Sequence, residues 1–363
     1  MDKDPFKEYI ITKEPSKKEK EYAWKSAIGL QKVDGLETSS YLKEISKDNI
    51  EGKITIDEAK SLIDSYYVEN KDYNERVEEA DKVSIRIAKL LSNKSFTFSL
   101  DEYLNIHKFL FYGIFKYAGK IRDYDISKKE WVLDGESVIY GSSQTIYKAL
   151  EYDILEEKKI DYSKFDNDSA IKHIARFISN LWQIHAFGEG NTRTTAVFLI
   201  KYLRKLGYNV DNSLFEENSW YFRNSLVRAN YNNRDKKIFE TTKYLELFLR
   251  NLLLNERNEL KNRYLNIKFE TLEKVDIEHE KVDIEDVKVH IDLSNFNLTV
   301  KTKDNIRALY KNYSNNYFGR SDVIKVLELS NAGASKFIKL LLENGIISPI
   351  SGKGKGKYIF NIK

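Results

Sequence analysis

Only three prolines occur in 363 residues, Pro5, Pro15 and Pro349, so from Ser16 to Ser348 no ring removes a backbone N–H or pushes the chain out of a helix. With apolar residues recurring at three- and four-residue spacing, such a chain is expected to be mainly α. The length suggests about two to three domains. Hydrophobic residues at 41% and aromatic residues at 13% give it the material for a packed core rather than a disordered tail. Cysteine is absent, which excludes disulfides and thiolate metal sites. The N-terminus, MDKDPFKEYIITKEPSKKEKEYAW, begins with charges and has no continuous apolar run. No stretch elsewhere reaches the roughly 18 apolar residues of a membrane span, so neither signal peptide nor membrane helix is expected and the cytoplasm is the default location.

The stretch richest in chemistry is Ile184–Ala196, IHAFGEGNTRTTA, between apolar helical runs at Ser169–Ile184 and Thr194–Leu206. His185 is the one histidine beside a glycine-rich turn and can act as a base near neutral pH. Glu189 follows as a carboxylate able to hold a divalent cation. Gly190, Asn191 and Thr192, with Gly188 before them, bend the chain into a helix N-terminus, where backbone N–H groups and the helix dipole favour a phosphate. Arg193 adds a planar cation for the same anion. Base, metal carboxylate and anion cradle so close together point to phosphoryl or nucleotidyl transfer. His107 and His173 read instead as satisfied core groups.

At these residues the sequence resembles the Fic (Fic/Doc) family, whose motif reads HPFx(D/E)GNGRxxR. His185, Phe187, Glu189, Gly190, Asn191 and Arg193 match in register; Ala186 replaces the proline, Thr192 the last glycine and Ala196 the second arginine. In the family that second arginine contacts the outer phosphates of ATP. The resemblance implies AMP transfer from ATP, with Mg²⁺, to a Ser, Thr or Tyr hydroxyl of a target protein. His185 would take the hydroxyl proton, Glu189 would place Mg²⁺ on the α and β phosphates, and Gly190–Thr192 with Asn191 and Arg193 would hold the anion while diphosphate leaves. It further implies that an aromatic pair and an asparagine frame adenine and ribose, which makes Tyr221, Phe222 and Asn230 the matching residues. Thr192 and Ala196 leave open another phosphate-ester donor or transfer of the terminal phosphate. A core that only senses nucleotide for a transcription regulator, and a scaffold without activity, are the remaining alternatives.

Upstream, YAGKIRDYDISKKEWVLDGESVIYG alternates around an Asp134–Gly135 turn and reads as a β-hairpin between helices. In Fic proteins AGxxR and an extended flap precede the active helix; Ala118, Gly119 and Arg122 match the lead-in, and Lys128 on the first strand would face the nucleotide. The N-terminal stretch is expected to hold short helices, with Ser39 capping one and a Thr55/Glu58 capping box opening another. It weakly resembles the family's inhibitory helix, (S/T)xxxE(G/N), with Asp34–Gly35 at the acid–glycine place and Leu30 at the Ser/Thr place. Because Ala196 removes the arginine partner, the family's usual salt bridge is not expected, and residues 21–67 are expected to cover the cleft sterically.

Net charge is +4, but Phe296–Lys363 carries twelve Lys and Arg against four Asp and Glu, which hints at a polyanion partner for the tail. Between core and tail lies a charged stretch with KVDIE at 274–278 and again at 281–285, best read as a linker. Three helical patterns followed by IISPISGKGKGKYIF resemble a winged-helix domain, with Lys336 and Lys339 on the last helix and Lys353, Lys355 and Lys357 on the wing as DNA contacts. The organisation expected is an N-terminal helical, antitoxin-like segment at 1–74, a Fic-type helical core with a β-hairpin flap at 75–255, a linker at 256–295 and a winged-helix domain at 296–363.

Overall fold

Side-chain caps open most of the early helices, as a proline-poor chain of this kind requires. In the computed structural model, which describes residues 15–70, 74–269, 296, 298, 300–313, 317–327, 329–350 and 356–361, Ser16 and Glu19 form a capping box on α1 (Lys17–Gly29). Ser39 caps α2 (Ser40–Glu51), and Thr55 with Glu58 forms the box on α3 (Ile56–Glu69). Asn74 caps α4 (Glu75–Ser92) and Ser99 caps α5 (Leu100–Phe111). Each such cap contributes about 1 kcal/mol by satisfying an N–H that has no partner inside the helix. Then come α6 (Ile146–Lys158), α7 (Asn167–Ile184), α8 (Asn191–Lys205), α9 (Leu214–Ala229) and α10 (Lys243–Leu254). α5 stops well before Tyr117, because Tyr112 leaves the helical region and Gly113 takes a left-handed φ of 75°.

The core is built around α8, buried at every position from Asn191 to Leu203. α7 lays Ile171, Ile174, Ile178 and Leu181 inward. α1 packs along α4 and α9. Trp24, 1% exposed, joins the same apolar cluster as Ile87, Leu199 and Phe215, and its indole donates to Asn49 at 2.9 Å. The buried Asp81 carboxylate accepts from the Ser39 N–H at 2.9 Å and from the Tyr67 hydroxyl at 2.7 Å, tying the N-terminal helices to α4. Helices on both sides of the expected 74/75 boundary therefore share one core, and the first compact unit runs on to Glu278.

Where the alternation within 117–141 suggests a β-hairpin, the chain forms no strands. Glu130 N–H donates to Glu136 O at 2.9 Å across a short 3-10 turn at Trp131–Leu133, with Asp134 at φ 56°. Val132, Leu133, Val138 and Tyr140 are buried, so the segment folds inward onto the core instead of pairing along its length.

The second unit begins at His279. Its described part holds helices Val300–Tyr313, Arg320–Leu327 and Asn331–Glu343, the last capped by Ser330. Strands β1 (Phe318–Gly319), β2 (Ile347–Pro349) and β3 (Lys357–Phe360) form an antiparallel sheet in the order β1-β3-β2, with Phe318 opposite Tyr358 and Ile347 opposite Phe360. Leu309, Phe318, Phe337, Leu341 and Phe360 fill its core. Lys336 and Lys339 are exposed, and Lys357 lies 3.5 Å from Asp322. Lys353, Lys355 and the near-repeat lie outside the described residues. Among the described residues no helix is long and apolar enough to cross a membrane.

Candidate functional site

α7 ends where its C-cap, His185, turns left-handed at φ 49° and ψ 59°. Five residues later Gly190, at φ 78°, opens α8 at Asn191, three residues before the start the sequence pattern suggests. A Cβ on Gly190 would lie 2.4 Å from the Phe111 ring, so both the conformation and the space demand glycine. Inside the loop, Phe187 N–H donates to Asn191 Oδ1 at 2.9 Å and Asn191 Nδ2 donates to Phe187 O at 2.7 Å. Asn191 thus braces the turn with both polar atoms. Thr192 Oγ1 accepts from Trp182 Nε1 at 3.0 Å and pins α8 to α7. Gly188 lies against Tyr117 and Tyr124.

Arg122, from the AGxxR lead-in, fixes the backbone of the base. Its Nε donates to His185 O at 2.8 Å, and its own N–H donates to Ala186 O at 2.9 Å. The His185 ring is 3% exposed, beneath Tyr140 at a centroid distance of 4.2 Å and against Trp182 at 5.2 Å. Nδ1 lies 3.3 Å from the Trp182 carbonyl, which can only accept, so the proton of the neutral ring belongs on Nδ1. Nε2 then carries a lone pair, and it is buried with no hydrogen-bond partner. Burial holds the imidazole well below its ordinary range, and the nearby Lys128 charge adds to this. The ring is thus neutral, with its unpartnered Nε2 covered. The cover is itself anchored: Tyr140 Oη donates to Glu130 at 3.2 Å, and Arg223 grips both Glu130 oxygens at 2.7 and 3.0 Å.

Beside the loop lies a cleft of about 540 Å³ that Asp34, Glu79, Lys128, Glu189, Arg193 and Trp220 help to line. The Glu189 carboxylate is 39% exposed; Oε1 accepts from the Gly190 N–H at 3.1 Å and Oε2 lies 3.5 Å from Lys128 Nζ. Arg193 is 0% exposed. Its Nε lies 2.7 Å from Asp34 Oδ2, while the two terminal nitrogens donate to Gln31 at 3.0 Å and Glu79 at 2.6 Å. No salt bridge to a second arginine forms, since Ala196 stands in its place; Asp34 lies instead against the first, Arg193. The first bond inside α8 runs from Thr194 N–H to Gly190 O, so the amides of Asn191, Thr192 and Arg193 point out of the helix end. All three residues are buried.

Tyr221 and Phe222 do not present rings to the cleft. Phe222 is 0% exposed, wedged between Phe215 and Phe248, and Tyr221 is 2% exposed. Asn230 spends its amide on Ser179 O and Leu226 O at 3.0 and 2.9 Å. One residue before Tyr221, Trp220 lines the cleft, 37% exposed, with the Arg223 guanidinium over its ring at 5.1 Å. Sequence reasoning missed Trp220, Glu79, Tyr140 and Arg223; each arrives from a distant segment, and a polar residue on an amphipathic helix carries no mark of what it will face.

Among the described residues no three His, Cys, Asp or Glu side chains gather as a metal cage. A lone carboxylate such as Glu189 fits a magnesium ion that takes its other ligands from phosphate oxygens and water.

None of the curated proteins matches this chain. Among solved structures, it is similar to a Fic family protein from Desulfovibrio desulfuricans G20, at 14% identity and a TM-score of 0.41 over 99% of this chain and 91% of that one. Residues 97–203, the stretch that contains Arg122, Lys128, His185, Glu189 and Arg193, match the model of the Fic/DOC family.

Proposed function

We propose that the chain is a protein adenylyltransferase held in a self-blocked state. The observation that carries the reading is the lone pair on His185 Nε2, without a partner, next to a loop that joins a half-exposed carboxylate to a helix N-terminus. In the reaction a Ser, Thr or Tyr hydroxyl of the target gives its proton to Nε2 as its oxygen bonds to the α-phosphorus of ATP. The bond from that phosphorus to the β-phosphate oxygen breaks, and diphosphate leaves. The amides of Asn191 and Thr192 stabilise charge on the phosphate oxygens, with Arg193 once its acids let go. Magnesium bound through Glu189 would neutralise part of the charge on the phosphates. Trp220, rather than Tyr221 or Phe222, is the aromatic surface offered to a base. Two contacts supply the block: Tyr140 over His185, and Asp34 with Glu79 on Arg193.

The test is incubation with ATP labelled at the α or γ phosphate, with and without His185→Ala. Protein-bound α label that disappears in the variant supports adenylyl transfer. γ label means transfer of the terminal phosphate, and no label from either position, in wild type and in a Tyr140→Ala variant that removes the cover, rejects the transferase reading.

A second reading, a nucleotide-sensing regulator that binds DNA, is favoured by one observation: exposed Lys336 and Lys339 on the last helix of a three-helix, three-stranded unit. This unit would act as a winged helix, with the Asn331–Glu343 helix in the major groove.

A further inference from the structure

His107 lies on α5, 0% exposed, and both ring nitrogens bond outside their own helix. Nδ1 accepts from the Gly119 N–H at 2.8 Å, and Nε2 lies 3.0 Å from the Glu189 carbonyl. A backbone N–H can only donate and a carbonyl can only accept, so one state satisfies both contacts: a neutral ring with its proton on Nε2. The ring is also stacked on Phe187 at 3.7 Å and 9°, and it touches Phe111 at 4.8 Å. Gly119 reaches this close to α5 only because it lacks a side chain; at φ 77°, a Cβ there would lie 2.6 Å from Lys108 Cβ.

A core histidine satisfied within its own helix would leave the loop untouched. This one joins the AGxxR lead-in to the peptide group of the one loop residue whose carboxylate enters the cleft. With the Glu189 carbonyl held, the Glu189 side chain can vary only by its own rotations, and the Gly190 N–H stays within 3.1 Å of Oε1. We propose that His107 is a positioning residue for Glu189, acting through the fixed Nε2–H tautomer to aim the carboxylate at a magnesium–nucleotide. The proposal rests on the transferase reading for what Glu189 does, but not for the contact itself.

The experiment compares wild-type protein, His107→Phe and His107→Gln in the full chain. Phe keeps the stack and loses both hydrogen bonds; Gln places a donor and an acceptor about as far apart as the two ring nitrogens. Without nucleotide or metal, amide hydrogen exchange at residues 188–192 is expected to accelerate about tenfold in the Phe variant and return close to wild type in the Gln variant, with thermal unfolding reporting the fold separately. In the transfer assay, half-saturation by Mg²⁺ is expected to rise about 10- to 100-fold in the Phe variant, the range for removing a group that orients a metal ligand, with the rate at saturating Mg²⁺ changed far less. Nitrogen-15 spectra of wild-type histidine supply a readout that no folding failure can spoil: Nδ1 of His107 should be bare and Nε2 protonated. The opposite tautomer, or unchanged loop exchange in a folded Phe variant, overturns the proposal. If loop exchange and tautomer come out as expected while neither wild-type protein nor Tyr140→Ala transfers label, the transferase reading falls and the positioning contact stands.

Discussion

At His185 each ring nitrogen is decided by what it faces, a carbonyl for Nδ1 and nothing for Nε2. The burial that keeps the ring neutral also weakens it as a base, and a bound polyphosphate would restore basicity by placing negative charge nearby. His185→Ala is therefore expected to cut transfer by at least about 100-fold, the range for loss of a general base. Tyr140→Ala, which removes the cover, should raise initial incorporation of α label in the same assay. The order His185, Glu189, Gly190 and Arg193 was legible, because these residues lie within a stretch of nine. Which aromatic meets the cleft was not, because on α9 adjacent positions differ by about 100° in direction and only packing decides that Phe222 faces Phe248 and Trp220 faces out.

Among elements, the short 3-10 turn at Leu30–Asp34 and helix α4 meet at Arg193, where Asp34 and Glu79 hold one guanidinium. Glu79→Gln is expected to tighten ATP binding at least about tenfold by calorimetry, at a cost of about 1–3 kcal/mol in unfolding free energy because a buried cation loses a charged partner. α6 offers a pH test. Burial pushes the Asp153 carboxyl up to about 6, whereas in the unfolded chain it ionises near its ordinary value of about 3.9. The folded state holds this proton more tightly, so the associated stability is present below the unfolded value and lost as pH rises through about 6. Asp153→Asn should then stabilise the protein by about 1 kcal/mol above pH 6, an amount reduced for partial solvent access, and change little at pH 4. The caps at Ser39 and Thr55 could be read because capping is local. The missing hairpin could not, since burial of Val132, Leu133 and Tyr140 won over pairing that the alternation alone suggests.

For the molecule as a whole, Trp24, Ala27 and Leu30 belong to the same apolar cluster as the residues around the site. Deleting residues 17–69 should abolish cooperative unfolding, measured by circular dichroism on heating, rather than release an active core. If the second unit binds DNA, full-length protein should show affinity that falls with salt, and Lys336→Glu with Lys339→Glu should reduce the slope of log K against log salt by about two. The charge shift near residue 296 suggests a separate tail, whereas the structure divides the chain after Glu278; the joining of N-terminal helices to the core was not legible, because packing between segments far apart in sequence leaves no local trace.

Asp34, Gln31 and Glu79 occupy all three nitrogens of the Arg193 guanidinium, so a phosphate reaches it only by displacing one of them. If the chain takes up ATP as proposed, nucleotide and the Leu30–Asp34 turn are rivals for Arg193, and by thermodynamic reciprocity whatever affinity the turn withholds from ATP, ATP must withhold from the turn. Rising ATP would then loosen the start of the chain, and its susceptibility to a protease would report how much nucleotide the protein has taken up.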